Sequence, residues 1–173
     1  MMRVGCMGVL ILLNYILQST VLVRVSILGV YPDTALIFIV SYGILRGDVE
    51  GAIFGFFVGL THDLFGGHVI GLHAMLGMLT GYVAGKPFKD YFKDNYFLPF
   101  IIIVIATVSY QILFFFSSFL FRARLDFWFY LWAIIVPVTI YTAAIAVPLY
   151  SFMFMINSKI ETFENNRRNL FKE

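Results

Sequence analysis

The chain has one cysteine, Cys6, in 173 residues, which rules out an intramolecular disulfide. Charge is also scarce. Asp, Glu, Lys and Arg make up 13% of the sequence, about half of what a soluble domain carries. The charges sit in clusters, and a net charge of +2 implies no nucleic-acid partner. The sequence holds no phosphate-binding glycine loop, nucleophile elbow or pair of catalytic carboxylates, so nothing in it favours an enzyme. Tandem repeats and a separate soluble domain are absent too.

Apolar residues, by contrast, make up 61% of the chain, aromatics make up 18%, and mean hydropathy is +0.89. The stretches between charge clusters are long enough to cross a hydrocarbon core of about 30 Å, which takes about 20 helical residues. They are too continuous for the alternating strands of a β-barrel. The expectation is an all-α membrane protein with six spans, at residues 4–23, 31–45, 49–64, 69–85, 98–121 and 127–156. Pro32 suits the first turn of the second span, and Asp33 is well placed against that helix's dipole. The sixth span is too long to be straight, and kinks are expected at Pro137 and Pro148. Residues 1–157 then form the membrane domain, and 158–173 form a charged cytoplasmic tail that reads as a frayed helix end and not a folded unit. Arg3 followed by an apolar run resembles a secretion signal, but that run is long and lacks a small-x-small cleavage site. It reads as an uncleaved first span.

Loop charge sets the orientation. With a cytoplasmic N-terminus, the inner segments hold nine basic residues: Arg3, Arg46, Lys86, Lys89, Lys93, Lys159, Arg167, Arg168 and Lys172. The outer segments hold three: Arg24, Arg122 and Arg124. That asymmetry places both termini in the cytoplasm. The joint at residues 64–68 is open to a second reading, as a re-entrant turn.

Glycines recur every four residues at Gly43, Gly47, Gly51, Gly55 and Gly59, and again at Gly77, Gly81 and Gly85. A glycine inside a helix in water costs roughly 1 kcal/mol against alanine. In a bilayer, where the helix must persist to satisfy its backbone, the same spacing makes a groove for close helix approach. The first stripe must break near Arg46-Gly47-Asp48. The stripes either pack helices within one chain or build an interface with another, as in a homodimer.

Asp33, His62 and Asp63 are the ionisable residues that membrane burial would make costly. Asp33 reads as a helix start. Asp63 reads either as an ion, proton or partner site, or as a group emerging at the hydrated outer interface to bond the Gly66-Gly67 turn. His62, Asp63, His68 and His73 are of metal-ligating type, but their spacing fits no recognised ligand pattern. No metal or other cofactor is expected. Asn14, Gln18 and Ser19 share a face of the first span and suit hydrogen bonds between helices. Phe88, Tyr91, Phe92 and Tyr96, interleaved with lysines and aspartates, suit a short interfacial helix at about 86–97.

Residues 31–85 resemble the MreD family of rod shape-determining proteins. Three pieces carry the resemblance. One is Pro32-Asp33 opening a span. The second is Gly51-Ala52-Ile53-Phe54-Gly55-Phe56-Phe57-Val58-Gly59-Leu60 followed by Asp63. The third is Gly71-Leu72-His73-Ala74 with Gly81-Tyr82 after it. No role passes to His62. The resemblance implies a non-enzymatic bacterial inner-membrane scaffold for lateral peptidoglycan synthesis. It would act with the bitopic protein MreC and, further out, with MreB, RodA and a penicillin-binding synthase. It also implies a six-helix bundle similar to the S-components of energy-coupling factor transporters. The alternative is therefore a vitamin-type substrate-binding transport subunit, although the Ala-x-x-x-Ala docking stripe of those subunits is missing from residues 4–23. Under the scaffold reading, Gly51, Gly55, Gly59, Gly71, Gly77, Gly81, Asp33 and Asp63 are the candidate packing or partner-binding residues. Asn in place of Asp63 is then expected to be tolerated and Ala is not.

Overall fold

The structure, a computed structural model, describes residues 2–21, 31–66, 70–86, 97–122 and 127–170, and every element among them is helical. Helix α1 (Met2–Ile16) runs into a π-helical turn at Leu17–Val21. Then come α2 (Thr34–Arg46), α3 (Asp48–Gly66), α4 (Leu72–Gly85) and α5 (Phe97–Arg122). A single turn, α6 (Phe127–Tyr130), passes through a π-helical turn at Leu131–Ile135 into α7 (Val136–Leu170). The expected interfacial helix falls largely on residues 87–96, outside the described ones, as do His68 and the 22–30 connection.

Two segments, Leu98–Ser117 and Trp128–Ile160, are long and apolar enough to cross a membrane, while Met7–Thr20 and Thr34–Arg46 are shorter apolar helices. Helix α2 is the axis of the bundle. It packs against α1, α3, α4, α5 and α7, and every residue from Thr34 to Ile44 is buried. A helix this apolar all round belongs inside. The ring of Tyr42 stacks on Phe54 of α3 with centroids 4.4 Å apart, in a cluster with Leu10, Phe38 and Met153. On the other side of α2, Ile37, Val40 and Ile44 meet Ile103 of α5 and Ala146 and Tyr150 of α7.

The chain turns from α2 into α3 at Gly47 alone, whose φ of 101° is one that other residues rarely adopt. Pro32 stands before the cap of α2 and not in its first turn; Asp33 caps the helix, accepting a hydrogen bond from the Leu36 N–H at 3.1 Å. Pro137 is the second residue of α7, one residue after the π-helical turn, in the first turn of the helix where its missing N–H is best tolerated. Pro148 lies inside α7, which continues through it. With 35 residues, α7 is about 52 Å long at 1.5 Å per residue and runs unbroken past residue 157 to Leu170.

Candidate functional site

The two glycine stripes meet each other within the chain. A Cβ built on Gly51 would lie 2.6 Å from the Gly81 carbonyl oxygen, and one on Gly77 would lie 2.5 Å from that of Gly55. Cβ atoms on Gly55 and Gly81 would overlap the carbonyls of Gly77 and Gly51 outright, and one on Gly59 would overlap that of His73. Each step of four along α3 is thus matched by a step of four back along α4, in antiparallel register. Gly43 joins from α2, with its Cβ position 2.7 Å from the Gly81 oxygen. Three backbones converge where any side chain would force them apart. On the outer face of the hairpin, Ile53, Phe56 and Phe57 of α3 and Met75, Met78 and Leu79 of α4 are exposed.

Gly71 has nothing within 4 Å of its Cβ position and plays a different part, with φ of 97° at the N-terminal boundary of α4. A glycine there has no side chain to cap the first free N–H groups. Asp63 of α3 supplies the cap instead. Its Oδ2 accepts from Gly71 N at 2.9 Å and Ala74 N at 3.0 Å, and its Oδ1 accepts from His73 N at 3.1 Å. This corrects the expected setting of Asp63, which is 3% exposed rather than hydrated; among the described residues its donors are Gly71, His73 and Ala74, and Gly67 lies outside them. The positive end of α4 is what makes a buried carboxylate tolerable there.

His73 continues the network outward from that cap. Its Nδ1 and the Tyr110 hydroxyl of α5 are hydrogen-bonded at 2.7 Å, and its ring stacks on Phe114 with centroids 4.7 Å apart. His62 lies beside it, with centroids 5.7 Å apart. Among the described residues, no group of three His, Cys, Asp or Glu side chains could hold a metal ion. Asp33 donates its own N–H to Thr142 Oγ1 of α7 at 3.0 Å, and Thr34 donates to Gln18 Oε1 at 3.1 Å. Polar contacts therefore tie the start of α2 to α7 and to the π-helical turn after α1, and tie α3, α4 and α5 to one another. The carboxylates of Asp33 and Asp63 both lie within electrostatic range of Tyr110.

The sequence expectation for α1 holds only for Gln18. Ser19 is exposed and bonds back to the Ile16 carbonyl at 3.5 Å, while Asn14, fully buried, has no hydrogen-bond partner among the described residues. Tyr110, which with Gln111 reads from the sequence as a hydrogen-bond partner between helices, does bond across to α4, whereas the contacts of Thr142 and His73 were not assigned from the sequence. The available signal was that each is a polar residue inside a long apolar run.

An all-helical bundle with two apolar segments of membrane-crossing length, closed by glycine contacts, defines the class: a helical bundle of membrane type. Residues 2–160 match the family of rod shape-determining protein MreD, and the chain belongs to that family. Comparison with curated proteins and with solved structures gives no match. Membership makes it a cell-shape-determining membrane protein rather than a member of a known enzyme family.

Proposed function

We propose that the chain is a multi-pass scaffold of the bacterial inner membrane that organises lateral peptidoglycan synthesis by holding a bitopic, MreC-like partner. MreB, RodA and a penicillin-binding synthase would be reached through that assembly, and a homodimer is compatible with it. The family match over residues 2–160 carries the proposal. The geometry supports it in two ways. The polar groups at the outer end bond to one another, so they are committed to holding the bundle together. The α3–α4 hairpin, fixed backbone to backbone, presents Ile53, Phe56, Phe57, Met75, Met78 and Leu79 outward. Aromatic and methionine side chains on a rigid base suit contact with another membrane helix.

Six spans with both termini cytoplasmic belong to the same proposal and rest on the apolar runs and the loop charges, while a bundle of the S-component type rests on the family resemblance alone. Cysteine labelling of intact cells should modify residue 124 from outside and leave residue 165 protected; the reverse pattern would overturn the orientation. Depleting the protein from a rod-shaped cell tests the function. Rounding, with lateral wall synthesis dispersed, is expected. Unchanged shape with loss of uptake of a small nutrient would favour a transport subunit.

A further inference from the structure

The residues that lead into the last long helix carry a group of exposed rings. Trp128 and Phe129 in α6, and Trp132 in the π-helical turn that follows, are all exposed. Trp128 and Trp132 stand four residues apart, so they share one side of the helix. Tyr130 between them packs inward, its ring 4.8 Å from that of Phe115 in α5. The bundle is therefore met through Tyr130, and both tryptophans of the chain stay outside it.

The sequence around these rings marks a boundary. Arg122, Arg124 and Asp126 precede them, and no charged residue follows until Lys159. The segment Trp128–Ile160 is apolar and long enough to cross a membrane. From Trp132 to Lys159 the helix is about 40 Å long at 1.5 Å per residue. A bilayer with its headgroup zones is about 40–45 Å thick. With Lys159 at one face of the bilayer, the exposed rings reach the other. An indole suits that place, because its ring is apolar and its N–H seeks a polar partner. The hairpin face assigned above to a partner helix carries neither tryptophan, so the two surfaces are distinct.

We propose that Trp128, Phe129 and Trp132 are a lipid-binding surface that seats the start of the last helix at the headgroup–acyl boundary of the bilayer. Its occupant is lipid and not another protein. The inference rests on the membrane reading of the chain and is independent of which partner the chain holds.

The test uses the full chain in lipid vesicles, where these two residues give the whole tryptophan fluorescence. The vesicles contain phosphatidylcholine brominated either near the headgroup or near the acyl-chain ends. Bromine near the headgroup should quench the emission more strongly. The variants Trp128→Phe and Trp132→Phe separate the two rings, and substitution at exposed positions leaves the fold intact. Trp132 should lie roughly 6 Å deeper than Trp128, four residues further along a helix that runs into the bilayer. Stronger quenching from the chain ends, or equal depth for the two rings, would overturn the inference. So would emission that neither lipid quenches, which would show protein or water over the rings. Alkaline carbonate keeps the two readings apart. Release of the chain from the vesicles would overturn the membrane reading and the inference with it, whereas retention with the wrong quenching order would overturn the inference alone.

Discussion

The carboxylate of Asp63, near the end of α3, accepts the N–H of Ala74 at 3.0 Å and so caps a helix to which it does not belong. Both of its oxygens are in use, because Oδ1 accepts from His73 and Oδ2 from Gly71 as well. This changes the outcome expected from asparagine. An amide has one acceptor oxygen, and its NH2 would face a backbone N–H. Asp63→Asn should therefore cost about 1–3 kcal/mol and Asp63→Ala more, since alanine leaves three buried donors unpaired. Thermal unfolding of both variants in detergent gives the order. Asparagine unfolding at the temperature of the unmodified chain would show that the carboxylate is not the cap.

Gly55 and Gly77 face each other across the hairpin with no room for a side chain. Gly55→Ala should cost at least about 1–3 kcal/mol, because the atoms in its way are backbone. Phe57, 45% exposed, serves as the control, whereas the neighbouring Phe54 is fully buried and stacked on Tyr42. Phe57→Ala should change stability by about 0.5 kcal/mol or less. Equal stability of the two variants would show that α3 and α4 do not meet at the glycines.

Tyr110 and His73 form the link from the hairpin to α5. Tyr110→Phe should cost about 1 kcal/mol, and a cycle with His73→Phe, which keeps the stack on Phe114, should give a coupling of about 0.6–1.7 kcal/mol. A coupling near zero would mean that the stack alone positions α4 against α5.

Asn14 breaks the pattern, since its amide is buried and has no hydrogen-bond partner among the described residues. Asn14→Leu should raise the unfolding temperature, because the amide is buried without compensation. If the variant is more stable and rod shape survives, Asn14 has no further role. Loss of stability would show that the amide has a partner in the folded protein.

Local features of this fold were legible in the sequence. Glycines at four-residue spacing announced close helix packing, Gly47 announced the α2–α3 break, and Asp33 announced a helix start, because each follows from backbone chemistry within one or two turns. The partners of Asp63 were not legible. Which N–H groups it meets depends on how the chain returns after Gly66 and on the register that the glycines impose. The contact of His73 with Tyr110 joins residues on different helices, and nothing local encodes it. The apolar run places the end of the sixth span at residue 156, whereas α7 continues through polar sequence to Leu170, which hydropathy alone does not mark.

Co-purification from gently solubilised membranes tests the scaffold most directly, with the unmodified chain compared against Phe57→Ala and Gly55→Leu. The account predicts that the unmodified chain brings down a bitopic protein with a large periplasmic domain. Phe57→Ala should recover less of it at unchanged stability, and Gly55→Leu should lose it together with the fold. Recovery of an ATPase-linked membrane subunit in its place would contradict the account.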